Sequence, residues 1–490
     1  MSPLQEMFSG TLWVVAARWG IRGIGLVSTV VLARLLTPHD FGVVALAMLV
    51  VGGIEVFSET GLVIYIIRHA DPQRSHFDTV WTLRLIVGAA LALAIFLAAP
   101  WGAAFFRAPE IETAIQCLAL RPLLFGLENP GIIWFRRNMI FSKDFEFLVL
   151  NKLVSFVVTV GGAVILGNHW ALVIGILSGA LVATLQSYRM HPYRPRLSLA
   201  EARQVWGFSS WMLVVHLLDF VNTKVDEVII GRVRSTTEMG YYNVGSDIAA
   251  APVQEIVYPM TRVWVPGFAK LAHDKVALEA TFRWVIAAVA ILAFSVSTGL
   301  ALVARDLTHL VLGPNWIPAV PVIQILAIAA GMAAMLMPMG SVLGATGDPR
   351  VSVSLALVRS VLLVATMLPA ALWYGLAEVA LGRAAATAVA LVVSVLVFER
   401  VVKLPPLTIA RGMGRPLLAA LVMAGVVVWV QHVVPDVALL RLALSIVAGA
   451  ASFGAALLAA WALAGRPHSV ERDLLGWVLR WLRMRKFTWR

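Results

Sequence analysis

The sequence predicts an all-α polytopic membrane protein of about 14 transmembrane helices, built as two six-helix pseudo-symmetric lobes followed by two C-terminal helices. Three observations predict it. Of 490 residues, 60% are hydrophobic and only 13% charged, whereas a soluble chain carries about 25% charged residues. That much apolar surface calls for a bilayer as solvent. The apolar residues also fall in long runs separated by short basic loops, and one loop motif occurs twice.

A helix needs about 20 apolar residues to cross the hydrocarbon core. Such runs lie near residues 11–33, 41–66, 79–100, 112–134, 148–166, 170–188, 206–231, 239–261, 282–304, 318–343, 352–373, 378–398, 417–434 and 441–464. Lys and Arg in the short loops orient them. With the N-terminus in the cytoplasm, the inner segments hold roughly four times as many Lys and Arg as the outer ones. Both termini are then expected to be cytoplasmic. MSPLQEMFSG has no basic n-region, and no small-residue cleavage site closes a short apolar run, so no cleaved signal peptide is expected. Cys117 is the lone cysteine, which reads as buried and inert. The tail, SVERDLLGWVLRWLRMRKFTWR, alternates Leu and Trp with Arg at helical spacing. It reads as an amphipathic helix on the inner leaflet, with a solvated basic tail as the plainer alternative.

LARLLTPHDFGVVALA at 32–47 and IGRVRSTTEMGYYNVG at 230–245 align at an offset of 198: Arg34 on Arg232, Thr37 on Ser235, Asp40 on Glu238, Gly42 on Gly240. The two copies are the outer hairpin tips joining spans 1–2 and 7–8. Six spans separate them, so they share an orientation. Such parallel repeats mark transporters that rock one lobe against the other. Gly42 lets the chain turn closely and Asp40 can cap span 2, so the tip reads as architecture rather than a ligand site. The domains follow: 1–200, N-lobe with spans 1–6; 201–400, C-lobe with spans 7–12; 401–416, linker; 417–465, spans 13 and 14; 466–490, basic tail. Two consecutive prolines, Pro405 and Pro406, mark the linker. The Ala/Leu/Val-rich last two spans are expected to pack on the outside of the core.

Charges within a bilayer face a cavity or a partner. In span 1, Arg18 and Arg22 are one helical turn apart on one face. Arg22 lies on the order of 16 Å inside the span, near the midplane. Folding the hairpin at its tip matches Arg22 in depth with Glu55, and Arg18 with Glu59. These four residues are either two interhelical ion pairs, or cavity-lining groups in which the arginines exchange carboxylates for an anionic substrate. The planar guanidinium fork suits a pyrophosphate, and a carboxylate released this way could couple to protons. Lys224, between Asp219, Asp226 and Glu227, reads first as a local pair with Glu227. Lys152 and Arg203 read as snorkelling residues near inner ends. Arg84 fits either reading. Arg121 and Arg359 have no acid within a helical turn and are cavity candidates, while Arg383 reads as a partner of Glu378. The candidate substrate-binding set is therefore Arg18, Arg22, Arg84, Arg121, Lys224 and Arg359, with Glu55, Glu59 and Asp219 as coupling or ion-pair carboxylates. Pro122, Pro130, Pro252, Pro259, Pro338 and Pro369 interrupt spans and permit bends.

No G-x-x-x-x-G-K-[ST] loop is present, so ATP hydrolysis is not expected. Paired-Cys and H-E-x-x-H metal sites are also absent from the sequence, and His216, deep in span 7, reads as a satisfied polar side chain. No cofactor is expected, which leaves H+, Na+ or the membrane potential as the energy source. The short outer loops argue against a sugar-polymerising membrane enzyme.

ARLLTPHDFGVVALA, followed by FSETGLVIYIIR and FDTVWTLRL, resembles the N-terminal signature of bacterial polysaccharide transporters of the Wzx type, in particular the WzxC-like subgroup. APWGAAFFRAPE at 99–110, FRRNMIFSKDFEF at 135–147 and MGYYNVGSDIAAAPVQEIVYPMTRVWVPGFAKL at 239–271 fit the same pattern. The wider MOP superfamily includes the MurJ and MATE proteins. The resemblance, over roughly residues 10–400, implies a V-shaped, two-lobed, fourteen-helix fold with a central cavity. It implies a flippase for undecaprenyl-pyrophosphate-linked oligosaccharide repeat units in the bacterial inner membrane, serving exopolysaccharide or lipopolysaccharide biosynthesis. Membrane lipids, the polysaccharide polymerase and the export machinery are the implied partners, and nucleic acid is not. Basic residues of span 1 in such flippases commonly line the cavity, a role that Arg18 and Arg22 match by position in the helix. The alternative on the same scaffold is a cation-coupled MATE-like drug or metabolite exporter.

Overall fold

The computed structural model describes residues 3–58, 62–69, 71–346, 349–435, 437–467, 469–473 and 475–476; among these there is no strand. The chain parts into two compact units, Met1–Asn243 and Val244–Arg490.

The first unit contains α1 (Pro3–Leu35), α2 (Pro38–Glu55), α3 (Leu62–Arg68), α4 (Arg74–Phe106), α5 (Ile111–Leu118), α6 (Leu120–Leu127), α7 (Ile133–Arg137), α8 (Phe141–Leu166), α9 (Trp170–Met190), α10 (Ala202–Val233) and the start of α11 (Thr236–Ile256). The second continues with α12 (Thr261–Leu271), α13 (Lys275–Val311), α14 (Val320–Ala334), α15 (Leu336–Thr346), α16 (Pro349–Trp373), α17 (Leu376–Val402), α18 (Pro406–Val433) and α19 (Ala438–Leu463). Among the described residues, 10 helical runs are long and apolar enough to cross a membrane. The remaining runs, α1, α5–α7, α10 and α11–α12, make the sequence-derived count of fourteen compatible with the fold. The protein is a multi-pass, all-helical membrane protein.

Proline sets two of the helix breaks. A proline ring clashes with the carbonyl four residues earlier and removes one backbone donor. Pro122 lies four residues after Leu118, where α5 ends, and Pro338 lies four residues after Ala334, where α14 ends. Pro130 and Pro259 begin or sit within 3-10 turns, whereas Pro252 and Pro369 stay inside continuous helices. Span 2, read as one run from the sequence, is broken into α2 and α3 by a 3-10 turn at Val56–Ser58.

The duplicated tips are built alike. Thr37 and Asp40 form a capping box at the start of α2, with Pro38 at the first helical turn. Ser235 and Glu238 repeat it at the start of α11: the Ser235 N–H and hydroxyl both donate to the Glu238 carboxylate, and the Glu238 N–H donates to the Ser235 hydroxyl. The copies also touch reciprocally. A Cβ on Gly42 would overlap the Thr236 carbonyl, and a Cβ on Gly240 would overlap the Pro38 carbonyl. Asp40 additionally accepts the His169 N–H at 2.8 Å, joining the tip to the start of α9. Burial pushes the His169 imidazole below its usual pKa against the opposing pull of Asp40.

At the other end of the first unit, residues 191–201 run as an extended strap along the first turns of α4. Asp78 accepts from the Tyr193 hydroxyl at 2.7 Å and the Arg196 N–H at 2.8 Å. The Thr82 and Thr79 hydroxyls accept the N–H groups of Ser198 and Glu201. Asn129 donates to the carbonyls of His191 and Tyr193. Burial and the Asp78 carboxylate raise the Tyr193 phenol well above its usual range, so it stays a donor.

In the second unit, α13 is the central post. Phe282 on α13 stacks on Phe398 of α17 at 4.8 Å and meets Phe268 of α12. Helices α18 and α19 join this core beside α13, contributing Ile409, Ala419, Met423, Val427, Phe453 and Leu457. Arg441 makes a bidentate pair with Asp306, Thr408 donates to Glu279, and Arg415 pairs with the buried Glu471 at 3.0 Å. The Trp284 indole donates to Asp473 at 2.9 Å. The start of the basic tail thus docks on α13 and α18, and the amphipathic remainder from residue 477 lies outside the described residues.

The reciprocal glycine crossing predicts that Gly42→Ala or Gly240→Ala destabilises the protein by about 1–3 kcal/mol through backbone overlap, while Gly25→Ala, with open space around it, does not. Thermal unfolding in detergent, followed by tryptophan fluorescence, reads the difference.

Candidate functional site

A chamber of about 530 Å³ lies inside the first unit, walled by α1, α3, α4, α6, α7, α8 and α9. A second chamber, about 460 Å³, shares Val63, Arg84, Arg121 and Phe125 with it. A third, about 330 Å³, shares Gly52 and Phe220 with the second and reaches toward the tip through Phe41, Lys224 and Glu227.

The first chamber owes its space to small residues and its charge to helix ends. Gly179, Ala180 and Ala183 present a low wall on α9. Gly88 and Gly126 let α4 and α6 meet backbone to backbone, since a Cβ on either would overlap a carbonyl, Pro122 for Gly88 and Arg84 for Gly126. That closeness places the Arg84 guanidinium on the last turn of α6. It donates to the Phe125 carbonyl at 2.7 Å and to Glu128 at 3.0 Å, so it caps a helix end that the chain break leaves short of donors. Arg121 reaches from α6 to Glu55 at the end of α2, at 2.7 Å, and lies over the Phe125 ring at 5.2 Å. Arg136 on α7 pairs with Asp144 on α8 at 2.8 Å. Arg137 fastens α7 to α3 through the Ile66 and His69 carbonyls.

The fourth cation of the chamber is Lys152, in the wall beside Asn151 and Ser155. From the sequence it read as a snorkelling residue near the start of span 5. The helix actually starts at Phe141 rather than near 148, so Lys152 lies three turns in, about 16 Å along the axis. Among the described residues no carboxylate pairs with it. The spacing is legible in the sequence: Asp144, Asn151, Lys152 and Ser155 fall with Phe147 and Leu148 on one face of the helix, which puts four polar side chains on that face.

The other expected residues fall as follows. Arg84 and Arg121 line both larger chambers, and Glu55 lines the second. Lys224 walls the third and is paired with Glu227 at 2.6 Å, the local pair foreseen for it. Arg359 is in the second unit, at a void of about 40 Å³ with Arg383, Thr387 and Ser246. Arg18 and Arg22 are half-buried on α1; among the described residues, the one of that helix in the chamber wall is Ile21. Glu59 and the side chain of Asp219 lie outside the described residues. Arg121, from span 4, is a partner of Glu55 that matching depths between spans 1 and 2 could not find. Among the described residues no group of His, Cys, Asp and Glu is arranged to hold a metal.

The model of the polysaccharide biosynthesis protein family matches residues 31–321. The chain belongs to that family. Among family relatives, the lipopolysaccharide biosynthesis protein WzxC of Escherichia coli (strain K12) is 26% identical over 374 residues, 74% of this chain and 75% of the relative. The succinoglycan biosynthesis transport protein ExoT of Rhizobium meliloti (strain 1021) is 26% identical over 420 residues, 85% of this chain and 84% of the relative. The fold of this polysaccharide biosynthesis protein is similar to the lipid II flippase MurJ in an inward closed conformation, with TM-score 0.73, 12% identity, and 95% and 100% of the two chains covered.

The geometry predicts a coupled Arg84–Glu128 pair. Arg84→Ala alone, which strands Glu128, is expected to destabilise more than the double variant with Glu128→Ala, with a coupling of about 0.5–3 kcal/mol in a double-mutant cycle. Unfolding in SDS–detergent mixtures measures it.

Proposed function

We propose that this chain is a flippase that moves undecaprenyl-pyrophosphate-linked oligosaccharide repeat units across the bacterial inner membrane by alternating access, for exopolysaccharide or lipopolysaccharide biosynthesis. The observation that carries this is the cation-lined chamber inside an apolar helical unit. A diphosphate and its sugars cannot cross hydrocarbon unaided, whereas the polyprenyl tail can stay in it. Forked guanidiniums at Arg84 and Arg121 match phosphate oxygens, and their carboxylates Glu128 and Glu55 keep them compensated when the chamber is empty. Arg18 and Arg22 on α1 and Lys224 complete the proposed basic surface of the first unit, with Glu59 and Asp219 as further carboxylates; Arg359 is the substrate-binding candidate of the second unit. The names of WzxC and ExoT, a lipopolysaccharide biosynthesis protein and a succinoglycan biosynthesis transport protein, support the assignment. On this reading the chain is a transporter and not an enzyme. Its termini are cytoplasmic, its energy comes from H+, Na+ or the membrane potential, and it delivers cargo to the polymerase and export machinery.

Reconstitution with a fluorescent undecaprenyl-pyrophosphate sugar tests this. Proteoliposomes are expected to expose the lipid to an external quencher faster than empty vesicles. Arg121→Ala should slow the exchange about 10- to 100-fold, the loss of a charge-assisted hydrogen bond of about 1.5–3 kcal/mol. Exchange no faster than in empty vesicles, together with export of a small cationic drug, would overturn the proposal in favour of a MATE-like exporter.

A further inference from the structure

Among the described residues the first chamber carries four cations, Arg84, Arg121, Arg136 and Lys152. Three are already neutralised: Arg84 by Glu128, Arg121 by Glu55, and Arg136 by Asp144. To take a phosphate, each of these arginines must first let go of a carboxylate. For Arg84 and Arg121 that carboxylate is then stranded in a largely buried place where an unpaired charge is costly, so gain and cost largely offset; Arg136 and Asp144 are more exposed. Lys152 has no such exchange to make. Its ammonium offers three donors from a wall position three turns into α8, and among the described residues it is the chamber's surplus charge.

We propose that Lys152 is the phosphoryl-binding residue of this chamber: the subsite takes one phosphate group of an ester or diphosphate on the Lys152 ammonium as its first charge contact, and Arg84 and Arg121 turn to phosphate oxygens only after their carboxylates release them. The proposal rests on the flippase reading for its cargo, and on the chamber's charge balance for its residue. It predicts an order of effects that a uniformly basic cavity would not give. Neutralising Lys152 costs more affinity than neutralising Arg136 together with Asp144, although the latter removes two charged groups. Lys152→Arg retains binding, because charge and reach are kept.

The experiment is calorimetric titration of the full chain in nanodiscs with two probes, farnesyl diphosphate and inorganic pyrophosphate. Lys152→Gln is expected to weaken at least one probe about tenfold or more with an unchanged unfolding temperature, and Lys152→Arg to stay within about threefold of the unaltered protein. A loss for both probes assigns the subsite to any phosphate; a loss for farnesyl diphosphate alone assigns it to lipid-borne phosphate. Affinities for both probes unchanged in Lys152→Gln, or lost equally in Arg136→Gln/Asp144→Asn, overturn the proposal. The flipping assay separates this from the wider reading. If the unaltered protein flips lipid while Lys152→Gln binds as before, the subsite falls and the flippase stands. If nothing flips while Lys152→Gln still loses pyrophosphate, the reverse holds.

Discussion

A guanidinium in an apolar bundle must be compensated, and the first unit is organised around that requirement. Desolvating a charge without a partner costs several kcal/mol, so the chamber's arginines, unlike Lys152, each bring a carboxylate-bearing segment beside them. Arg121 ties α6 to the end of α2 through Glu55, Arg84 ties α4 to the end of α6 through Glu128 and a backbone carbonyl, and Arg136 ties α7 to α8 through Asp144. The Arg84 tie also closes the end of α6, through the Phe125 carbonyl. There, charge compensation and backbone satisfaction are met by one side chain. The chamber is the space that these ties leave between them.

The same economy appears in how closely the backbones approach. Glycines sit where two helices meet carbonyl to Cα: Gly42 and Gly240 at the tips, Gly88 and Gly126 beside the chamber. Within a bilayer, where apolar burial gives little preference for helix over lipid, close packing of small residues and paired polar groups hold helices together. Both devices occur here, and at the chamber they occur on the same two helices.

Much of this was legible in the sequence, for reasons that are themselves physical. Apolar runs betray spans because the bilayer has one thickness. The capping residues Thr37 and Asp40, and their copies Ser235 and Glu238, betray hairpin tips because caps are local. Pro122 and Pro338 mark breaks because the clash falls on a fixed neighbour four residues back. Partners across helices were harder. Depth is a single coordinate, so it matched Glu55 with Arg22, and could say nothing of Arg121, which reaches Glu55 from a different span. Around Lys152 the hydropathy run begins later than the helix: Phe141–Phe147 carries Lys143, Asp144 and Glu146, which hide two turns of helix.

The strap at 191–201 has a mechanical consequence. It is fastened to α4 through Asp78, Thr79 and Thr82, and it leads straight into α10. Held at Arg196, Ser198 and Glu201, the segment leaves little free chain before α10, so a swing of the foot of α10 would be passed to α4 as a pull. Six residues beyond Asp78, about 9 Å along the same helix, stands Arg84. The guanidinium that closes the end of α6 thus sits on the lever that the strap would tug.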